Sequence, residues 1–251
     1  MRERLALRPE RVRVVYNGIS LDGYAIGGRA SGVEGKESQG SFSPDTRHST
    51  LDTRPSAPVL GFFARMCREK GLDTLVEAYL ILRQRDGTKD LKLRIGGGCG
   101  PADEPFVNSL RGRLQERGVL GEVEFYPNLD RAGKLDLLRS LSVFSVPARY
   151  GEAFGLYVIE ALAAGVPVVQ PRIGAFPELL EATGGGVLCE PSNAQALADA
   201  IRELLLDPER AGALGKAGRR VVSEKFSAEA MAREMERAFQ EIRNPKSARP
   251  P

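Results

Sequence analysis

Short apolar runs alternate with longer amphipathic stretches along the chain from residue 58 onward. The runs have the length and composition of buried strands and lie at 59–64, 91–95, 123–126, 141–146, 166–170 and 186–189. The stretches have helical spacing and lie at about 72–85, 103–117, 132–139, 154–164, 194–206, 208–225 and 228–242. Because strands separated by helices form βαβ units, this alternation predicts an α/β fold, a Rossmann-like parallel sheet with helices on both faces and C-terminal helices.

The part of the chain before residue 58 does not follow that alternation. A run of strand composition at 12–16 ends in Asn17-Gly18, a pair that tolerates the positive φ of a turn. Residues 25–57 are rich in Gly, Ser, Arg, Glu and Thr and contain His48, the only histidine. Such a segment has too little apolar surface to offset the entropy of ordering, which predicts a flexible insertion. The predicted layout is a leading segment, this insertion, a folded domain and a disordered tail, at 1–24, 25–57, 58–243 and 244–251.

The charge balance narrows the classes of function. The 36 basic and 33 acidic side chains leave a formal net charge of +3, and both signs recur in every region. A nucleic-acid-binding protein would show a basic stripe with interleaved aromatic residues, so we expect no nucleic-acid partner. Local basic patches survive a near-zero total, so a role at a membrane surface stays open.

Cysteine usage and the lack of targeting signals predict a cytoplasmic protein. Cys67, Cys99 and Cys189 are widely spaced and match no disulfide or zinc framework, which favours a reducing compartment and buried small side chains. No stretch reaches the roughly 18 apolar residues of a membrane span. The charged residues at 2–4 are not a secretory signal. No cluster of metal ligands is apparent in the sequence, so we expect no metal site.

A basic loop follows the first predicted strand of the domain. Arg65 and Lys70 stand there, before the helix at 72–85 begins. In a doubly wound sheet, ligands lie beyond the carboxyl ends of the strands, where helix N-termini present free backbone N–H groups. A guanidinium fork and an ammonium at that place suit the oxygens of a diphosphate. The alternative is a solvated basic loop without a ligand.

A glycine-rich loop follows the next predicted strand, at 96–100. Gly97 and Gly98 would let the backbone come close to a phosphate or a sugar. The segment is not the dinucleotide-binding fingerprint G-x-G-x-x-G, because Pro101 stands where the third glycine belongs. A plain tight turn is the alternative.

The loop after the fourth predicted strand carries the most informative residues. Glu152 lies in this loop, and Phe154-Gly155-Leu156 is expected to form the first turn of the next helix, where unpaired N–H groups and the dipole favour anions. Glu160 lies further along that apolar helix, where a carboxylate is costly unless it has partners. Vicinal ribose hydroxyls would be apt partners. The alternative is that Glu160 pairs with a structural Arg or Lys and that Glu152 is merely exposed.

Glu152 and Glu160 are separated by seven residues, and the apolar stretch at 161–169 follows them. In this spacing and continuation the chain resembles the C-terminal domain of family-4-type GT-B glycosyltransferases. The resemblance covers about 14–17 and then residue 59 to the last helix, and the basic pair and the glycine-rich loop strengthen it. It implies a single GT-B half whose Rossmann-like sheet binds a nucleotide sugar.

The resemblance implies a role for each site residue. Arg65 and Lys70 would hold the donor diphosphate. Glu160 would bind the ribose hydroxyls, and Glu152 would contact the transferred sugar, so Glu152 and the two basic residues are the expected catalytic group. The other donor-binding positions that it implies contact base, phosphate or sugar through their backbones and are Gly97, Gly98, Asn128, Leu129, Phe154, Gly155 and Leu156.

The family transfers sugars with retention at the anomeric carbon, so the resemblance implies a retaining hexosyltransferase that needs no metal or other cofactor. Cationic and amide groups would stabilise the departing diphosphate. The leaving phosphate would take the acceptor's proton, which suits a domain, 58–243, that contains no histidine. Pro127 and Ala175 stand where the family commonly has glycine.

Complete GT-B enzymes bury the reaction between two Rossmann-like domains. Residues 11–19 resemble the segment that leads out of the N-terminal domain, so residues 1–24 are expected to be an interdomain strand or linker remnant. The acceptor-binding half is then expected to be a missing N-terminal domain or a split subunit, which leaves room for peripheral membrane association through that half. Two alternatives stay open: a non-catalytic nucleotide-sugar-binding module, and a fragment of a GT-B epimerase or phosphorylase.

Overall fold

A computed structural model describes residues 12–24 and 57–243 of the chain. In these residues six strands form one parallel sheet in the order β3-β2-β1-β4-β5-β6. The strands are β1 Val59–Phe63, β2 Lys92–Gly97, β3 Val123–Pro127, β4 Val143–Phe144, β5 Val168–Pro171 and β6 Gly186–Cys189. The predicted Rossmann-like parallel sheet is confirmed.

Eight helices accompany this sheet within the described residues. They are α1 Leu72–Arg83, α2 Glu104–Glu116, α3 Arg131–Arg139, α4 Leu156–Ala163, α5 Phe176–Thr183, α6 Ala194–Leu206, α7 Pro208–Lys225 and α8 Ala228–Arg243. The first four residues of β1 are all buried, although their side chains alternate between the two faces of the sheet. Both faces are therefore covered, as in other α/β proteins.

The strand order reverses beside β1. From β1 the chain builds outward through β2 to β3, then returns to place β4 on the other side of β1 and continues through β5 to β6. The loops after β1 and β4 therefore leave the sheet in opposite directions and open a crevice at the carboxyl ends of the strands. Every loop that the sequence predicts to bind the donor lies at this carboxyl edge.

Gly71 brings the loops after β1 and β4 into contact. Its φ of 71° is in the left-handed region, and a Cβ atom there would overlap the Pro147 carbonyl. The Arg149 N–H also donates to the Glu69 carbonyl at 3.0 Å, which joins the same two loops. Glycine at this position therefore fixes the loop of the predicted diphosphate contacts against the loop of the predicted sugar contact.

We expect Gly71→Ala to lower the free energy of unfolding by about 2 kcal/mol or more, because a left-handed backbone alone costs about 1–2 kcal/mol per residue with a Cβ. Gly112→Ala is the matched control, since Gly112 lies in α2 and an added Cβ there has nothing within 4 Å. Alanine is favoured over glycine at such a place by about 1 kcal/mol. Urea denaturation measures both variants, and a Gly71→Ala variant as stable as the wild type would show that the two loops can separate.

The strand expected at 12–16 is not formed. The chain there is irregular, and the first pairing of this segment is an isolated bridge between Ile19 and Ser227. One side chain of the run makes an aromatic contact instead: the Tyr16 ring lies 5.4 Å from the Phe226 ring, centroid to centroid. Apolar packing of this kind needs the same residue types as a strand, which explains the wrong prediction.

Two further boundaries differ from the prediction. The helix expected at 154–164 begins at Leu156, because Gly155 has a φ of 89° and cannot belong to a right-handed helix. Only the last residue of the predicted first turn is therefore helical. The strand expected at 141–146 is shortened to Val143–Phe144, because β1 pairs with only these two residues before the chain turns into the loop that carries Glu152.

Parts of the predicted layout lie outside the described residues. These are the insertion at 25–57, apart from residue 57, the tail at 244–251 and the first residues of the leading segment. Among the residues that the structure describes, no helix is long and apolar enough to cross a membrane. The same residues contain no group of three or more His, Cys, Asp or Glu side chains that could hold a metal ion. The domain layout stays a prediction.

Candidate functional site

Lys70 and Glu152 meet in the crevice at the carboxyl edge of the sheet. Lys70 ends a 3₁₀ turn after β1, Glu152 lies in the loop after β4, and their side chains form a direct ion pair. Only 19% of the Lys70 side chain and 13% of the Glu152 side chain are exposed. The Lys70 ammonium also lies 5.3 Å from the Tyr150 ring centroid and 5.4 Å from that of Tyr157. The two residues to which the sequence analysis gave separate roles therefore contact each other.

The Lys70 ammonium keeps its proton in this setting. Burial favours the neutral amine, but hydrogen bonds to Glu152 and Tyr150 and the charges of these groups outweigh it, so the pKa of Lys70 is raised. An ammonium has three N–H donors. Lys70 can therefore hold Glu152 and a second acceptor, such as a phosphate oxygen, at the same time.

Glu160 also has a lysine partner, which the sequence analysis did not single out. The ammonium of Lys134, on α3, lies 2.6 Å from the Glu160 carboxylate on α4, and 18% of each side chain is exposed. The free protein thus shows the alternative in which a lysine pairs with Glu160. The remaining N–H donors of Lys134 leave it able to contact another acceptor as well.

Arg65 lies apart from the buried pair, on the surface. Its guanidinium is 3.6 Å from the Asp103 carboxylate and 3.8 Å from that of Glu69, and 62% of the side chain is exposed. Both distances are longer than a hydrogen bond, and exposed ion pairs of this kind contribute little to stability. Arg65 can therefore turn toward a ligand at small cost. Gly98 lies beside it, because a Cβ added there would be 3.9 Å from the Arg65 Cγ.

Gly97 and Asn128 hold the loops after β2 and β3 together. Gly97 has a φ of 125°, and a Cβ atom there would overlap the Ala64 carbonyl. The Asn128 N–H donates to the Gly97 carbonyl at 2.8 Å, and the Asn128 side-chain amide pairs with the Cys99 backbone at 3.0 and 2.9 Å. Asn128 thus shapes the loop. That Asn128 and Leu129 contact a base stays a prediction.

A cavity of about 340 Å³ opens beside these loops. Its lining includes Met66, Cys99 and Asn128, together with Arg111 of α2. The Arg111 guanidinium lies 4.0 Å from the centroid of the Phe125 ring, which is a further wall residue. This cavity is the concave surface next to the predicted base contact.

The loop that carries Glu152 is held by the loop before α5. The Ala175 N–H donates to the Glu152 carbonyl at 3.0 Å, and a Cβ atom at Gly174 would come within 2.6 Å of the Glu152 nitrogen. The Phe154 ring packs in an aromatic cluster, whereas the Leu156 side chain is exposed. These contacts hold the Glu152 backbone in place and leave its side chain able to pair with Lys70.

Two tyrosine hydroxyls near the glutamates are buried and make no hydrogen bond of regular geometry within the described residues. Burial, and after it the charge of Glu152, raises the pKa of Tyr157. Burial, and after it the charge of Glu160, raises the pKa of Tyr24. Each glutamate therefore has one lysine and one buried tyrosine beside it. No sequence signal marked the two tyrosines, because Tyr157 resembles any core residue on an apolar helix.

The sequence matches glycosyltransferases. Residues 45–221 match the family described as Glycosyl transferases group 1. A GDP-mannose-dependent alpha-(1-6)-phosphatidylinositol monomannoside mannosyltransferase of Mycobacterium tuberculosis is 32% identical over 72% of this chain and 46% of its own length. The chain spans about half the length of the curated relatives it matches.

Solved structures agree with the sequence match. Sucrose-phosphate synthase from Thermosynechococcus elongatus is 31% identical, with a TM-score of 0.67 over 76% of this chain and 46% of that one. Anabaena Alr3699/HepE, solved in complex with UDP-glucose, is 20% identical, with a TM-score of 0.72 over 96% of this chain and 60% of that one, which is a likeness of fold. The chain therefore belongs to the family Glycosyl transferases group 1 and has the Rossmann-like fold of a GT-B half.

Proposed function

We propose that this chain is the donor-binding half of a retaining glycosyltransferase. It binds a nucleoside-diphosphate sugar and, together with an acceptor-binding half, transfers a hexosyl group. The observation that carries the proposal is the largely buried Lys70–Glu152 pair at the point where the strand order reverses. An ammonium and a carboxylate at that point offer neighbouring contacts to a phosphate and to sugar hydroxyls.

The diphosphate contacts come from Lys70 and Arg65. Lys70 is charged and has N–H donors beyond the one that Glu152 takes. Arg65 is loosely held and can turn its guanidinium fork toward two phosphate oxygens. The N–H groups at the start of α4, at Gly155 and Leu156, add the positive end of a helix. These groups stabilise the charge that builds on the leaving diphosphate.

Glu160 takes the ribose and Glu152 takes the transferred sugar. A carboxylate accepts hydrogen bonds from hydroxyl groups, and each of these two is oriented by its own lysine. Lys134 holds Glu160 in place, and its remaining N–H donors can reach an oxygen of the same ribose. The base lies at the loop of Asn128, beside the cavity next to α2.

In the proposed reaction the bond between the anomeric carbon and the diphosphate oxygen breaks, and the acceptor oxygen bonds to the same face of that carbon. The acceptor's proton goes to an oxygen of the leaving phosphate, so the route needs no protein base. Residues 58–243 contain no histidine, which is in keeping with this route. We propose it without a metal or other cofactor and with a cytoplasmic location.

The comparisons support the proposal without deciding the base or the sugar. One relative is named as GDP-mannose-dependent, and a protein of similar fold is solved with UDP-glucose. The match to this chain covers only about half of the relatives' length, which supports an acceptor-binding half in addition to it. That half, in the same chain or in a separate subunit, is where we place the acceptor and any contact with a membrane.

Calorimetry with UDP, UDP-glucose, GDP, GDP-mannose and ADP tests the proposal. We expect one nucleoside diphosphate, and the nucleotide sugar with the same base where one is tested, to bind. The other ligands should bind at least tenfold more weakly. Lack of binding by all of them would rule the proposed function out. Donor hydrolysis, measured with and without the acceptor-binding half, then separates a transferase from a module that only binds the donor.

A further inference from the structure

Tyr157 stands behind the Lys70–Glu152 pair. It is the second residue of α4, and its ring lies 6.4 Å from the Phe144 ring on β4 and 6.3 Å from the Phe176 ring on α5, centroid to centroid. The Lys70 ammonium lies 5.4 Å from the same ring. Aromatic neighbours on two elements thus fix the ring, and the cation that holds Glu152 lies on it.

The Tyr157 hydroxyl is buried and makes no hydrogen bond of regular geometry with any residue that the structure describes. A buried hydroxyl without a partner destabilises the folded protein, and such groups are rare. Glu152 is the acceptor beside it, since the Lys70 ammonium that pairs with Glu152 also lies 5.4 Å from the Tyr157 ring centroid. Burial, and after it the charge of Glu152 and its place as a hydrogen-bond acceptor, raise the pKa of Tyr157. The hydroxyl therefore stays protonated at neutral pH and has an O–H to donate.

Donor binding puts two demands on Lys70. In the free protein its ammonium is the cation paired with Glu152, and under the proposed function it also binds the diphosphate. When the ammonium turns toward the phosphate, Glu152 loses part of the ion pair that it makes within the described residues, while only 13% of its side chain is exposed. A carboxylate with so little water needs another hydrogen-bond donor.

We propose that Tyr157 is a positioning residue for Glu152: when the donor's diphosphate draws Lys70 away, the Tyr157 O–H donates to the Glu152 carboxylate and keeps it aimed at the transferred sugar. The inference rests on the proposed function and deepens it, because it assigns the sugar contact to a tyrosine–glutamate unit rather than to Glu152 alone. Tyr157 acts through Glu152 and does not itself touch the donor.

The test compares Tyr157→Phe with Tyr79→Phe by calorimetry with UDP, UDP-glucose, GDP and GDP-mannose. Tyr157→Phe should weaken the binding of the nucleotide sugar about tenfold, because one charge-assisted hydrogen bond is lost. The affinity for the free diphosphate should stay within about twofold of the wild-type value. The melting temperature of Tyr157→Phe should fall little, because within the described residues the lost hydroxyl makes no hydrogen bond of regular geometry. Tyr79→Phe is the control: it should lower the melting temperature and change neither affinity. The reason is that the buried Tyr79 hydroxyl donates to the Leu91 carbonyl at 3.1 Å.

A double-mutant cycle shows whether Tyr157 acts through Glu152. In a Glu152→Gln background, Tyr157→Phe should bring no further loss of nucleotide-sugar affinity. Additive losses, an equal loss for the free diphosphate, or an unchanged affinity for the sugar-bearing form would each overturn the inference. A wild-type chain that binds none of the four ligands and no ADP would defeat the proposed function and this inference with it, whereas equal binding by wild type and Tyr157→Phe defeats the inference alone.

Discussion

Lys70→Ala is expected to weaken the binding of a nucleoside diphosphate by about 10- to 100-fold, because a charge-assisted hydrogen bond contributes about 1.5–3 kcal/mol. The variant also leaves the largely buried Glu152 carboxylate without its lysine partner. Repulsion between this carboxylate and the negatively charged diphosphate then adds to the lost attraction. Arg65→Ala is expected to cost only about tenfold, since Arg65 is exposed and leaves no buried partner behind. Calorimetry with the diphosphate and with the bare nucleoside measures both effects.

Two comparisons make this result specific. Lys89→Ala is the matched control, because Lys89 is exposed, pairs with Asp86 at 2.7 Å and precedes β2 at the opposite end of the sheet. The double change Lys70→Ala with Glu152→Gln should regain part of the diphosphate affinity, since the stranded charge is gone. Equal losses for the diphosphate and the bare nucleoside would rule out the role of Lys70.

Glu160→Gln and Glu152→Gln are expected to lower the affinity for different ligands. Glu160 is assigned to the ribose, which every nucleotide donor has, so its loss should weaken the diphosphate and the nucleotide sugar alike, by about tenfold. Glu152 is assigned to the transferred sugar, so its loss should weaken only the sugar-bearing form. In an enzyme reconstituted with its acceptor half, Glu152→Gln should also lower turnover, because a contact to the reacting ring can tighten in the transition state.

Calorimetry on both variants with both ligands gives a two-by-two comparison. Glu124→Gln is the control, since Glu124 also binds a basic side chain, Arg94 at 2.6 Å, but lies at the start of β3 away from the carboxyl edge. If Glu152→Gln weakens the binding of the bare diphosphate as strongly as Glu160→Gln does, the assignment of Glu160 to the ribose and Glu152 to the sugar is wrong. If neither change affects any ligand while the fold stays intact, the two glutamates are structural.

Much of the fold could be predicted because burial determines composition over whole elements. β1 is an unbroken apolar run, since both faces of the sheet are covered there, and the helices show one apolar face. Single backbone angles leave no such signal. Gly155 sits in a left-handed conformation that composition does not distinguish from a glycine inside a helix, so the start of α4 was placed too early. Residues 12–16 have strand composition but form no strand, and the Tyr16 ring among them packs against Phe226.

The site residues could be predicted one by one, but not their pairings. Residues directly after the strands of a parallel sheet converge on one edge, so Lys70 and Glu152 could be placed there from the sequence alone. That they touch depends on how closely the two loops approach, which Gly71 permits. Lys134 could not be found, because it is an ordinary lysine on an amphipathic helix. The fold, and no sequence pattern, brings its ammonium on α3 to Glu160 on α4 across 26 residues of chain.

The pairing of each glutamate with its own lysine leaves the four side chains without net charge. Arg65, the remaining cation of the predicted set, itself lies near two carboxylates. An approaching donor therefore meets short-range hydrogen-bond donors rather than a strongly positive basin, and we expect its association rate to change little with ionic strength. Under the proposed function, the same neutrality would limit how tightly the nucleoside diphosphate is held after the sugar is transferred, and would favour its release.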